Sequence, residues 1–114
     1  MKKVVLAGLV SCLIAGSASA KTLDVDNAIG MASLMICTTY YSENDMQIEG
    51  TIVGQSMMNH ENAGIKEMKM TETTNKKLTE YMANFKAASK SQKGELCEQA
   101  IEFARNSTFV KENS

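Results

Sequence analysis

Apolar residues occur along this chain in three patterns, and each predicts a different kind of segment. Val4 to Gly16 is an almost unbroken apolar run behind two lysines. Asn27 to Ser42 is a stretch of sixteen residues without a charge. Beyond Ser42 the apolar positions thin out into stripes separated by charged residues, the pattern of helices that bury one face and wet the other.

The uncharged stretch predicts a helix from Asn27 to Tyr41, with Asp24 and Asp26 placed to cap it and to complement the positive end of its dipole. Its apolar members do not keep to one stripe. At 100° per residue Ala28, Ile29, Met31, Leu34, Ile36 and Tyr40 go all the way round, so the helix is expected to be packed on more than one face. Gly30 and Ser33 are the expected points of close approach. Of the adjacent pair Tyr40 and Tyr41, one is expected inside and one at the surface.

Ser42 to Asp45 reads as a turn. Met46 to Asn59 allows two readings: a helix with Met46, Gly50, Val53 and Met57 on one side and Gly50 and Gly54 as a small-residue notch, or a hairpin turning at Glu49-Gly50. Helix is preferred, because a lone hairpin in a helical domain has no sheet to join. Asn62-Ala63-Gly64 marks a helix end or loop, and Asn59 to Met70 reads as an ordered loop or a short helical turn. Thr71, Thr73 and Thr74 offer N-caps for the clearest helix in the chain, where Leu78, Tyr81, Met82, Phe85 and Ala88 recur at helical spacing. Ser89 to Gly94 reads as a polar linker. A last helix begins at Glu95, buries Leu96, Cys97, Ala100, Ile101, Phe103 and Ala104, and ends near Asn106-Ser107-Thr108, after which Phe109 and Val110 add a final contact.

Proline is absent, which removes the strongest helix breaker, and runs of β-branched and aromatic residues are scarce. The predicted fold is therefore all-α: a small four- to five-helix bundle with a buried first helix and one disulfide.

The first run changes the picture of where the fold begins. Lys2 and Lys3, the apolar segment and Ala18-Ser19-Ala20 together read as a signal peptide over residues 1–20, with Lys21 as the first mature residue and 21–114 as a single domain. Thirteen apolar residues are too few to span a bilayer of about 30 Å, so no stable membrane span is expected. Leu9-Val10-Ser11-Cys12 resembles the lipobox of bacterial lipoproteins, which makes lipid anchoring at Cys12 the minor alternative to a free periplasmic protein.

Loss of residues 1–20 removes two lysines and no acid, leaving ten basic and thirteen acidic side chains and a net charge near −3. That balance carries no basic patch for nucleic acid. Cys37 and Cys97 remain, and an even count in an oxidising compartment reads as a disulfide.

Chemistry is sparse. His60 is the only histidine and lies in the polar setting Asn59-His60-Glu61, where a solvated helix-end or loop residue is expected. The cysteines lack C-x-x-C spacing, and Gly50-x-x-x-Gly54 lacks the Lys-Ser/Thr of a phosphate loop. Asn106-x-Thr108 matches a glycosylation acceptor by chance in a chain with a bacterial-type signal. No catalytic residue, cofactor or metal ligand is assigned.

Methionine is the compositional excess, with eight beyond the signal segment. Met57, Met58, His60, Met68 and Met70 offer thioether and imidazole groups suited to Cu(I), whereas Met31, Met35 and Met82 fall at positions expected in helix cores. Methionine also fills irregular gaps and lines adaptable binding surfaces.

In size, export signal and single long-range disulfide the chain resembles several sorts of small periplasmic helical protein, among them acid-stress chaperones, immunity proteins and pilotins. The likeness is architectural and transfers no site residues. The expected function is non-catalytic binding of another periplasmic or secreted protein, as an immunity factor, inhibitor or chaperone, with self-association open. The alternative is a periplasmic Met/His copper-binding protein.

Overall fold

A computed structural model describes residues 21–113; residues 1–20, where the sequence leads one to expect a signal peptide or a lipid anchor at Cys12, lie outside the described residues. The chain forms four long helices, α1 (Val25–Glu43), α2 (Gln47–Asn62), α3 (Glu72–Ala87) and α4 (Lys90–Asn106), followed by the one-turn α5 (Phe109–Glu112). The all-α bundle and the Cys37–Cys97 pairing are as the sequence predicts. A detail it did not predict is a pair of two-residue parallel strands, β1 (Thr22–Leu23) and β2 (Lys69–Met70), with Thr22 opposite Lys69 and Leu23 opposite Met70.

Helix α1 is the axis: α2, α3 and α4 all pack against it. Asp24 caps it, accepting hydrogen bonds from the Asn27 backbone N–H at 3.2 Å and side chain at 2.7 Å. Partial burial pushes the Asp24 carboxyl up, but these donors outweigh it and hold it below its usual value. Leu34, Cys37 and Tyr41 are buried in the core, as are Ala28 and Met31. Enclosure is incomplete, because Met35 is 51% exposed.

Helix α4 runs antiparallel to α1, as three contacts spaced along it show. Gly30 meets the Phe103 ring. Cys37 is bonded to Cys97, with Cα atoms 5.5 Å apart. Tyr40 Oη lies 3.2 Å from where a Cβ on Gly94 would stand. Gly30 is thus required for space: a Cβ there would overlap the Phe103 ring. Gly30→Ala should cost on the order of 1–3 kcal/mol by forcing that ring and α4 outward. Chemical denaturation checks this, and an unchanged midpoint would mean that Phe103 moves aside freely.

Three differences from the predicted elements have local causes. The segment after Met46 is helical, from Gln47 to Asn62 with Met46 at its N-cap, but Gly54 faces open space and Gly50 makes only ordinary contact with Tyr41, so the two glycines do not form a packing notch. Helix α4 starts at Lys90, inside the predicted polar linker, because Ser89 and Gln92 close a capping box: each side chain bonds the other's backbone N–H. Residues 59–70 include the short helical turn the sequence allows, a 3₁₀ turn at Ile65–Glu67, but begin with the end of α2 and finish in β2. Gly64 reverses the chain there with φ +94°, the left-handed geometry that ends many helices.

Candidate functional site

Two cavities separate the residues that carry chemistry, and their linings are different in kind. The first is a groove of about 430 Å³ between α1, α3 and the 65–70 segment. Helix α1 contributes Ala28, Met31, Ala32, Met35 and Ile36; the 65–70 segment contributes Ile65, Lys66, Met68 and Met70; α3 contributes Leu78 and Met82, and β1 Leu23. The one charged lining residue, Lys66, pairs with Glu61 at 3.3 Å.

Hydrogen bonds tie the elements bordering this groove to one another. Thr71 caps α3 by accepting from the Thr74 N–H at 3.1 Å. The buried Thr74 hydroxyl then donates to the Leu23 carbonyl at 3.2 Å, tying the start of α3 to β1. The Lys69 N–H donates to the Lys21 carbonyl at 2.8 Å, so the 65–70 segment is pinned to the same place. Within the groove Met35, Met70 and Met82 are 51%, 41% and 50% exposed. Three long apolar side chains half in water around one cavity form an unpartnered surface rather than a core.

The second cavity, about 440 Å³, is the more polar of the two and lies between α2 and the end of α4; Gln55, Ser56, Asn59, His60 and Ser107 line it beside the apolar Ile52, Ala104 and Val110. His60 differs from the expected solvated residue: it is 2% exposed. Its ring stacks on Phe103 and Phe109 at centroid distances of 5.2 and 5.7 Å. Nδ1 lies 2.8 Å from the Ser56 carbonyl, which can only accept, so Nδ1 carries the proton. In the neutral ring Nε2 is then the acceptor for the Ser107 hydroxyl at 2.9 Å. Ser107 Oγ in turn accepts from the Phe109 N–H at 3.3 Å. The result is a clasp joining the end of α2 to the end of α4 and to α5. Behind the imidazole stands a backbone carbonyl, where a catalytic triad would place a carboxylate.

The proposed Met/His cluster is therefore divided. Met68 and Met70 line the groove, while His60 has both ring nitrogens engaged in the other cavity. Met57 packs partly buried against the core and Met58 is exposed on α2. Met35 and Met82, expected in helix cores, instead open into the groove. Among the described residues no group of three or more His, Cys, Asp or Glu side chains is placed to hold a metal ion.

A smaller apolar surface sits at the start of α2, where Ile48 is 76% exposed beside Met46, Ile52 and Ile101, ringed by Glu49, Glu98 and Glu102. Burial raises the Tyr41 hydroxyl pKa there, with Glu49 and Glu98 adding to it. Tyr81 is also raised by burial, and its hydroxyl has no hydrogen-bond partner. No helix among the described residues is long and apolar enough to cross a membrane. Comparison with protein-family models, curated proteins and solved structures returned no match.

Proposed function

We propose that this chain is an exported, non-catalytic binding protein whose groove between α1 and α3 takes an apolar segment of another periplasmic or secreted protein, as an immunity factor, inhibitor or chaperone would. In this reading residues 1–20 direct export and are removed, and the rest is a stapled scaffold built on α1. The observation that carries it is the half-exposed methionine lining of a groove whose bordering elements are tied together by β1, β2 and the Thr74–Leu23 bond. Methionine suits such a surface because its unbranched, polarizable side chain repacks around different apolar shapes.

Charge adds a constraint on the partner. From Gly64 to Ala88, the stretch that forms one wall of the groove, there are five lysines and three glutamates, whereas the remainder from Lys21 onward has five basic and ten acidic residues. Of these only Lys66 lines the groove itself, so the basic surround would steer the encounter with an apolar segment flanked by acidic residues rather than contact it inside the groove.

A photo-crosslinking residue placed at Met35 in exported protein tests the assignment, with Gln99 on the exposed side of α4 as control. A discrete adduct from position 35 and none from position 99 is expected. Equal labelling at both sites, or at neither, contradicts the groove as the binding surface.

A further inference from the structure

We infer that the same groove is a soft-metal site that takes one Cu(I) or Ag(I) ion through the thioether sulfurs of Met31, Met35, Met68, Met70 and Met82. The inference goes beyond protein binding and does not depend on it, although the two would share a cavity. Five of the eight methionines that follow Lys21 line this one space, and they arrive from three separate elements. Met31 and Met35 stand one turn apart on α1, which places their side chains next to each other. Met68 and Met70 lie two apart on an extended stretch and both reach the groove. Met82 comes from α3 opposite. Each sulfur sits near the end of a flexible unbranched side chain, so sulfurs distributed around about 430 Å³ can converge on an ion without moving the backbone.

The donor set is selective by what surrounds it. Neutral thioethers favour Cu(I) and other soft ions, and the carboxylates and carbonyls that suit Mg, Ca and Mn are absent from the lining side chains. Imidazole and thiolate, which would recruit Zn(II) or Cu(II), are missing there too: His60 is engaged elsewhere and both cysteines are bonded to each other. Neutral ligands in an apolar cavity leave the charge of the ion uncompensated, and the one charged lining residue, Lys66, is a largely exposed cation paired with Glu61, so a monovalent ion is favoured over a divalent one.

A groove used only for its shape would keep its properties when methionine is replaced by leucine, an apolar residue of similar volume without the sulfur. That difference supplies the test. The oxidised full chain, labelled with ¹³C at the methionine methyls, is titrated with Ag(I), and anaerobically with Cu(I) against a competing chelator. One equivalent should be retained, the methyl signals of the five groove residues should shift, and those of Met46, Met57 and Met58 should stay. Met68→Leu with Met70→Leu should weaken retention by at least about tenfold, or about 1.4 kcal/mol, at an unchanged thermal midpoint; Met57→Leu with Met58→Leu should leave it intact. Metal surrendered to a stoichiometric amount of chelator, or shifts centred on Met57 and Met58, overturns the inference. Met68→Leu with Met70→Leu keeps the groove apolar, so loss of retained metal with the position-35 crosslink preserved bears on the metal site and not on protein binding.

Discussion

Opening the Cys37–Cys97 bridge should lower the thermal midpoint by roughly 20 °C, the largest effect expected of any local change in this protein. The bond closes a loop of sixty residues, and cross-linking over that distance removes chain entropy from the unfolded state worth about 4 kcal/mol in the simple loop model. For a domain of this length each kcal/mol moves the midpoint by roughly 4–8 °C. The native state also loses more than a constraint, since both cysteines are fully buried between α1 and α4. Cys37→Ala with Cys97→Ala, compared with the reduced wild type, separates the two contributions. A midpoint unmoved by reductant would mean that the α1–α4 contact from Gly30 to Gly94 holds without the staple.

The second large effect is expected at His60. Truncation by His60→Ala removes a buried ring that stacks on Phe103 and Phe109 and leaves the Ser107 hydroxyl and the Ser56 carbonyl without their side-chain partner. Loss of buried aromatic volume and of two hydrogen bonds together should cost on the order of 3 kcal/mol. The damage should be local at first. Amide exchange should accelerate around Phe109–Glu112 before the body of α1 responds, because α5 is held through Ser107 and Phe109. A variant with wild-type stability and unchanged protection of α5 would show that the clasp contributes nothing, and would reopen His60 as a functional residue.

That histidine marks where sequence reasoning fell short. Asn59 and Glu61 on either side are polar, and a local reading of the three residues gives a solvated site. Burial comes instead from residues more than forty positions away: Phe103, Ser107 and Phe109 close over the last turn of α2. Sequence spacing carries no trace of such a contact. The start of α4 was legible in principle, since Ser89 and Gln92 have the spacing of a capping box, but Gly94 and the polar composition pointed to a linker. Gly94 is accommodated because Tyr40 Oη lies close to it.

The axis helix was legible for the opposite reason. Its uncharged run, the preceding aspartate and the lone cysteine partner sixty residues on are strong local signals, and Asp24, Gly30 and Cys37 occupy the roles they suggest. The groove was half legible. An excess of methionine announced an adaptable or soft-ligand surface, yet the stripe on α3 does not tell which apolar residues its neighbours leave uncovered. Phe85 goes to the core while Met82 stays half exposed, and the same division on α1 buries Met31 and exposes Met35. Strands β1 and β2 bring Met70 to the same groove, and pairs of two residues lie below what alternation in a sequence can reveal.

The claim on which the functional reading rests is that the groove, and not the clasp or the surface around Ile48, receives the partner. Affinity for the partner captured at position 35, measured for Met35→Glu combined with Met82→Glu, tests this most directly. Both residues are half exposed, so the fold and the disulfide should persist, while two carboxylates placed against an apolar, acid-flanked segment should weaken binding by at least about tenfold. Wild-type affinity in that variant, with its thermal midpoint retained, would contradict the account.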